Sequence, residues 1–275
     1  MLSPKSLTLT TKGKNVAFVS ITGNYEDTQG NTVSAPSELR NVQVEFNGSN
    51  NKLVIDSDSG IHNTKISFPA DDGVCIVGPQ GNYCGKIRVG WKCLVSIGSR
   101  ITCTTACSIY TAENTYVLIG DDCMFASAII IRTEDSHAIY DVESGKRINP
   151  SRNVAIGQHV WLAEDALILS GSRIGAGSTI AARAVVKGVI PNNCVAAGIP
   201  CKVLKRNTAW ERPNLAFAQP WVRNNAKDQS LVTSTQAWKL TNESETRISL
   251  GRPLYTVLRD SKILPSTFDL STFSM

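Results

Sequence analysis

The polar stretch EDSHAIYDVESGKRINPSRN, residues 134–153, contains His137, one of three histidines in the chain. An imidazole titrates near neutral pH, so a neutral histidine is suited to take the proton from a hydroxyl group that must act as a nucleophile. Glu134 and Asp135 precede His137 and are candidates for orienting its ring through the second ring nitrogen. A backbone carbonyl can serve equally, and a surface histidine without a role is the alternative interpretation.

The other two histidines and the eight cysteines form no metal-binding pattern. His62 and His159 are interpreted as surface residues, and the cysteines include no C-x-x-C pair and no histidine at zinc-ligand spacing. We therefore expect no metal. The cysteines are interpreted as small buried thiols and not as a disulfide framework.

The composition is that of an ordinary globular protein. The 275 residues are 42% hydrophobic and 19% charged, which is enough for the core of one large domain or two small ones. The net charge of +5 is spread along the chain, and nucleic-acid binding usually needs a concentrated basic face. No apolar run reaches the roughly 18 residues of a membrane span, and no signal peptide is recognisable. We expect a cytoplasmic protein without a membrane span or nucleic-acid partner.

A six-residue repeat dominates the middle of the chain. Its large residues are Ile156, Leu162, Ile168, Ile174, Ile180 and Val186, and the residues four positions after the first five are Val160, Ala166, Ser172, Ser178 and Ala184. The same beat occurs upstream in groups of three: Val77, Tyr83 and Val89; Ile97, Cys103 and Ile109; Ile119, Phe125 and Ile131. Helices repeat every three or four residues and strands every two, so the pattern fits neither alone. It predicts a three-sided coil of about eighteen residues per turn, with the large residue pointing inward. A two-residue slip between Val95 and Ile97 is interpreted as a corner bulge.

The repeat also divides the chain. Residues 1–41 are predicted to form a strand-rich N-terminal cap, and residues 42–206 the coil domain, whose first coils at 42–76 are degenerate. Residues 207–275 form a C-terminal extension whose first part, rich in Trp and Pro, is predicted to pack back on the coil. The beat is interrupted at 132–153, which predicts a protruding loop. Loops that leave a rigid scaffold are common places for chemistry.

Residues 77 to 206 resemble the hexapeptide-repeat acyltransferases. The resemblance rests on the loop with His137, on the coil V-A-I-G-x-x-V-W-L and on the closing segment V-A-A-G-I-P-C-K-V-L-K. The segments E-D-S-H-A-I-Y-D and G-K-R-I-N are most similar to the bacterial capsule and O-antigen O-acetyltransferases, including those that modify sialic-acid polymers. The resemblance implies an all-β fold, a left-handed parallel β-helix, assembled as a cyclic homotrimer with sites between subunits.

The resemblance also implies a set of site residues. His137 corresponds to the general base, and Trp161, 24 residues later, would be an outward indole that walls the cleft; plain packing is the alternative for Trp161. The donor implied is acetyl-coenzyme A, contacted by Trp161, Ala163, Ala181, Ala182, Lys187, Gly188, Lys202, Lys205 and Arg206. The acceptor would be contacted by Glu134, Asp135, Ser136 and Trp161.

The activity implied is transfer of acetyl from acetyl-coenzyme A to a hydroxyl of a bacterial surface saccharide in a ternary complex, with backbone N–H groups stabilising the oxyanion. Three alternatives remain. One is an N-acetyltransferase of a nucleotide-linked amino sugar. Another is a zinc hydratase on the same coil, which three scattered histidines disfavour. The third is a non-catalytic β-helix scaffold.

Overall fold

The structure, a computed structural model, describes residues 18–217 as one three-sided coil of β-strands. In this part of the chain the regular elements are 23 strands and one short 3-10 helix at Leu215–Phe217. The strands form three sheets of eight, nine and six strands, called here the first, second and third faces. From β3 to β9 the strands alternate between the first and second faces, and from β9 to β22 they pass through all three faces in turn; the coil is the predicted left-handed parallel β-helix.

The three faces contain the following strands. The first face consists of β1 (Val19–Ser20), β4 (Arg40–Phe46), β6 (His62–Phe68), β8 (Gly85–Arg88), β11 (Cys107–Tyr110), β14 (Ile130–Arg132), β17 (Leu167–Ile168) and β20 (Val185–Val186). The second face consists of β2 (Tyr25–Glu26), β3 (Thr32–Ser34), β5 (Lys52–Ile55), β7 (Val74–Val77), β9 (Leu94–Ile97), β12 (Tyr116–Ile119), β15 (Val154–Ile156), β18 (Arg173–Ile174) and β21 (Val189–Ile190). The third face consists of β10 (Thr102–Cys103), β13 (Met124–Phe125), β16 (Trp161–Leu162), β19 (Thr179–Ile180), β22 (Val195–Ala197) and β23 (Lys202–Lys205).

Three corners join these faces. The loop corner lies between the first and second faces and includes residues 133–153. The strap corner lies between the second and third faces and includes residues 157–160. The alanine corner lies between the third and first faces and includes residues 163–166 and 181–184. In a triangular cross-section, the loop corner is opposite the third face.

The lumen is filled as the six-residue repeat predicts. All six large residues from Ile156 to Val186 are fully buried, and so are the five smaller corner residues between them. Two of those corner residues are serines whose hydroxyls donate to backbone carbonyls: Ser172 to Val186 at 2.9 Å and Ser178 to Pro191 at 2.8 Å. A small hydroxyl therefore fits the narrow lumen without leaving a buried polar group unpaired.

The eighteen-residue turn is confirmed only in the later coils. Ile156 and Ile174 are register partners 18 residues apart, whereas Ile97 and Ile119 are partners 22 residues apart. In the earlier coils the beat also slips, because the partner of Ile109 is Ile87 and not Val89.

The interpretation of the slip at Val95 and Ile97 as a corner bulge is wrong. Both residues lie on the four-residue strand β9, where alternate side chains share one face. Both are buried in the lumen cluster. A longer strand therefore contributes two inward residues instead of one.

The ends of the coil differ from its middle. On the first face β1 runs antiparallel to β4, on the second β2 runs antiparallel to β3, and on the third β23 runs antiparallel to β22. On the second face, β3 already pairs in parallel with β5. Parallel pairing therefore begins before residue 42, the predicted start of the coil domain. The division into cap, coil domain and extension stays a prediction, and residues 1–17 and 218–275 lie outside the described part.

The thiol prediction is confirmed: all eight cysteines are free, and all except the partly exposed Cys201 are buried. Burial raises the pKa of Cys75 and of Cys123 to about 12. Within residues 18–217 no helix is long and apolar enough to cross a membrane, and no group of three or more potential metal ligands occurs.

One lumen substitution tests this packing. Ile168→Ala removes a fully buried side chain from β17 and is expected to lower the free energy of unfolding by about 2–5 kcal/mol, because the rigid coil leaves a cavity. Leu167→Ala is the matched control, since Leu167 lies on the same strand, points outward and is half-buried. Urea denaturation followed by circular dichroism measures both. Equal losses would contradict the assignment of inward and outward residues.

Candidate active site

A buried carboxylate anchors the loop that carries His137. Glu134 follows β14 and is only 4% exposed. One of its oxygens, Oε1, accepts hydrogen bonds from Arg88 at 2.6 Å and Arg132 at 3.1 Å. The other, Oε2, accepts the backbone N–H of Ser136. Both oxygens of Glu134 are therefore used to fix the chain immediately before His137.

The charge of Glu134 is maintained by these partners. Burial alone would raise the pKa of Glu134, but the hydrogen bonds from Arg132 and the Ser136 N–H, together with the charges of Arg132 and Arg88, hold it below its ordinary value. Arg132 also donates to Ser136 Oγ at 3.1 Å. Ser136 has a positive φ of 67°, a conformation that costs a non-glycine residue energy and so needs such support.

Asn149 closes the base of the loop on the other side of His137. Its side-chain amide donates to the backbone carbonyl of His137 at 2.9 Å and to Asp135 Oδ2 at 3.1 Å. Its Oδ1 accepts the backbone N–H of Ile139 at 2.7 Å. One side chain thus contacts the backbone of His137 and Ile139 and the side chain of Asp135.

The rest of the loop is a hairpin tied to the preceding coil. Tyr140 and Arg147 form an antiparallel bridge, and the turn closes through Asp141, which accepts the Ser144 backbone N–H at 2.7 Å. Arg147 forms an ion pair with Glu113, which lies at the loop corner one coil earlier. Glu113 also accepts hydrogen bonds from the backbone and hydroxyl of Ser151 at 3.1 and 2.6 Å.

His137 itself is exposed on this fixed backbone. Within residues 18–217 its ring forms no hydrogen bond. Glu134 is occupied by the two arginines and Ser136, and Asp135 is exposed and accepts from Asn149, so neither carboxylate orients the imidazole in this chain alone. A role of Glu134, Asp135 or Ser136 toward an acceptor stays a prediction.

The predicted site residues separate into two groups. His137, its three preceding residues, Lys187 and Gly188 lie at the loop corner. Trp161, Lys202 and Lys205 lie on strands of the third face, Arg206 follows the last of them, and the three alanines lie at the alanine corner. Because the third face is opposite the loop corner, the packed lumen separates Trp161 from His137 within one chain.

The second group combines an aromatic ring, alanines and cations on neighbouring parts of the coil. Trp161 is half-buried and points outward between Met124 and Thr179 on the neighbouring strands. Ala163 and Ala181 stack at the alanine corner, where the Ala163 N–H donates to the Ile180 carbonyl at 2.9 Å. Lys202 and Lys205 are exposed on β23. An aromatic ring, stacked alanines and cations thus lie on one side of the coil, and the alanine corner also carries the exposed side chains of Glu164, Asp165 and Arg183.

Sequence reasoning missed the residues that hold the loop. Arg88 and Arg132 lie on one ladder of the first face, each a register partner of Tyr110. They are 44 residues apart, so a search at a period of 22 would have placed them together. No periodic spacing could have identified Asn149 or Glu113. Asn149 contacts His137 within the inserted loop, and Glu113 contacts Arg147 of that loop from the preceding coil.

The packed three-sided coil, its six-residue repeat and the single inserted loop define a hexapeptide-repeat β-helix protein. No family model matches the chain. The crystal structure of the polySia-specific acetyltransferase NeuO is similar, with a TM-score of 0.64 and 30% sequence identity over 75% of this chain and 90% of that one. The chain belongs to the hexapeptide-repeat acyltransferase family.

Two curated relatives are polysialic acid O-acetyltransferases. That of Escherichia coli O1:K1 / APEC is 35% identical over 122 residues, covering 44% of this chain and 39% of the relative. That of Neisseria meningitidis is 31% identical over 140 residues, covering 50% of this chain and 65% of the relative. The chain thus spans less than two thirds of the length of either.

The Glu113 tether has a testable consequence. Hydrogen bonds from Arg147 and then from Ser151 lower the pKa of Glu113 from 4.5 to about 2. The tether is therefore fully present above pH 4.5 and is lost as the pH falls toward 2. Glu113→Gln should make the backbone amides of residues 139–148 exchange faster at neutral pH and remove this acid dependence, as measured by hydrogen–deuterium exchange.

The matched control is Glu143→Gln, a charge removal at the exposed tip of the same loop. It should leave exchange of the hairpin unchanged, and neither substitution should alter the coil strands. Equal exchange in wild type and the Glu113 variant would show that the ion pair does not hold the loop.

Proposed function

We propose that this protein is an O-acetyltransferase that moves acetyl from acetyl-coenzyme A to a hydroxyl of a bacterial surface saccharide, in the cytoplasm. The observation that carries the proposal is the exposed His137 on a loop whose backbone is fixed by buried Glu134 and by Asn149. A binding scaffold has no need of an imidazole held in this way, whereas a general base must be positioned accurately.

The reaction we propose is direct attack. His137 takes the proton of the acceptor hydroxyl while the oxygen bonds to the thioester carbonyl carbon. The tetrahedral oxyanion is stabilised by backbone N–H groups, the carbon–sulfur bond breaks, and the coenzyme leaves as a thiolate. The imidazolium then returns the proton to that thiolate. No covalent acyl-enzyme is required, so donor and acceptor are bound together.

The donor is assigned to the third face and the alanine corner. Ala163, Ala181 and Ala182 carry no side chain beyond Cβ, so a pantetheine arm can approach the backbone there. Lys202, Lys205 and Arg206 supply cations for the phosphates. Lys187 and Gly188 lie at the loop corner, opposite the third face. They therefore contact a donor bound on the third face only if they belong to a neighbouring chain.

The acceptor class rests on the relatives. Two of them carry the name polysialic acid O-acetyltransferase, and we extend to this chain a capsule or O-antigen saccharide, including sialic-acid-containing polymers. Ser136, Asp135 and Trp161 border the two sides of the site that such an acceptor would enter.

We also propose that the working form is a cyclic homotrimer. His137 at the loop corner and Trp161 on the opposite face meet only if the loop of one chain lies against the third face of the next. The hairpin presents exposed apolar side chains, of which Val142 is 95% exposed, and such groups are suited to burial against a neighbour. Repeating one such contact in a closed ring gives every site both halves.

Replacing the base tests the chemistry. His137→Ala should lower turnover by about 10²–10⁴-fold, the usual contribution of a positioned base, with unchanged coenzyme binding and melting temperature. Thiol release from acetyl-coenzyme A with purified polysaccharides, and NMR location of the new acetyl groups, provide the assay. His62→Ala, which alters a histidine on β6 far along the coil, is the control. A near-normal rate in the His137 variant would remove the central claim, and transfer to amino sugars instead would favour an N-acetyltransferase.

Mixing variants tests the shared site. Light scattering should give about three times the 29.7 kDa chain mass. Subunits with His137→Ala, exchanged one to one with subunits carrying Trp161→Ala, should give about a quarter of all sites the wild-type KM, because one pairing in four then has both residues intact. The control mixes His137→Ala subunits with subunits that carry both His137→Ala and Trp161→Ala. This mixture should regain no activity, because no subunit supplies His137. A fully active monomer would defeat the trimer without affecting the assignment of His137.

A further inference from the structure

Residues 207–212, called here the strap, run back along the strap corner after β23. Thr208 lies on Asn193 of the last coil, with its backbone N–H and hydroxyl both donating to the Asn193 carbonyl at 2.8 and 3.0 Å. Trp210 lies beside His159, and Arg212 reaches Asp122 one coil further back. The strap therefore runs back over the coils in reverse order, with contacts at Asn193, His159 and Asp122.

The far end of the strap is held by Arg212. Its guanidinium donates to Asp122 Oδ1 and to Thr102 Oγ1, both at 2.8 Å. It also donates to the backbone carbonyls of Arg100 and Cys123, both at 3.0 Å. These partners lie on two successive coils, so the strap has one defined position on the corner.

Trp210 fills the space between the strap corner and the third face. It is 7% exposed, and its ring stacks on His159 with centroids 4.1 Å apart and planes 9° apart. Its indole N–H donates to the His159 carbonyl at 2.9 Å. Its ring also contacts Trp161, at 6.0 Å and a tilt of 47°. The candidate aromatic wall of the site is thus supported from behind by the strap.

Both ring nitrogens of His159 face acceptors. Nδ1 lies 2.7 Å from Asp122 Oδ2 and Nε2 lies 3.1 Å from the Trp210 backbone carbonyl. A neutral imidazole has one N–H and can satisfy only one of these oxygens, whereas an imidazolium satisfies both.

The charged groups around His159 are a carboxylate and a guanidinium in direct contact with each other. Asp122, on the preceding coil, stays ionised: burial would raise its pKa, but hydrogen bonds from His159 and Arg212 hold it lower. Arg212 on the strap pairs with the other oxygen of Asp122. Asp121 accepts the Ser99 N–H, and Glu211 is exposed on the strap.

We infer that Trp210 is a positioning residue for Trp161, and that His159 locks the strap in place by lying between Asp122 and the Trp210 carbonyl. The inference rests on the proposed function for its effect on catalysis, but the lock itself does not. The protonated ring makes two hydrogen bonds to the strap and corner, and the neutral ring makes one.

The first experiment measures catalysis. Trp210→Ala should raise the KM for donor or acceptor about three- to tenfold, the size of a lost aromatic pair, with a smaller change in kcat. In a Trp161→Ala background the same substitution should add no further effect. Phe217→Ala, an exposed aromatic beyond the strap, is the matched control. An unchanged KM, or additive effects of the two tryptophan substitutions, would overturn the positioning role.

The second experiment needs no activity, so it separates this inference from the proposed function. In wild type, residues 207–212 should be protected from hydrogen–deuterium exchange. His159→Gln should weaken this protection, and the Trp161 indole NMR signal should shift with it. Equal protection in wild type and His159→Gln would refute the lock, and a Trp161 signal unchanged in Trp210→Ala would refute the contact.

Discussion

The narrow lumen is the constraint on which the rest of the molecule depends. Each short strand contributes one large inward side chain, and each corner of the later coils contributes a small one, so the coils stack in register. Register then fixes everything outside the lumen, because outward side chains on parallel strands form ladders at a spacing of about 4.8 Å. Corners stack on corners in the same way. A residue's place in the six-residue unit therefore decides which side of the prism it occupies.

This rule separates the two halves of the candidate site. The loop with His137 leaves one corner, and Trp161 lies on the face opposite to it. A β-helix is convex on every side, so it offers no deep cleft of its own, and small-molecule sites are normally concave. Two convex surfaces from different chains can form such a cleft. The buried Glu134 is important in this context, since a loop that reaches a neighbouring chain in the proposed trimer must be held in shape by contacts within its own chain.

The sequence predicts the architecture better than the site. From Ile156 to Val186 the six-residue beat is unbroken, and it determines the lumen, the faces and the position of Trp161. Upstream the strands are longer, so two inward residues replace one and the beat slips by two at Ile87. The residues that hold the loop and Trp161 could not be found in this way. Trp210 contacts His159 across 51 residues of chain, and no periodic pattern connects a single returning segment to the coil it covers.

The reversal of strand direction at the ends of the three faces bears on solubility. A stack of parallel strands ends in unpaired backbone groups that could template another chain, and an open solenoid is at risk of growing into fibres. Here the first strand of two faces and the last strand of the third are antiparallel, and β23 carries Lys202 and Lys205 on its exposed side. The turn after β22 also covers β20, through hydrogen bonds between Val185 and residues 198 and 201. Charged lysine side chains on an end strand disfavour pairing of that edge with another chain, so β23 is a poor template for further strands.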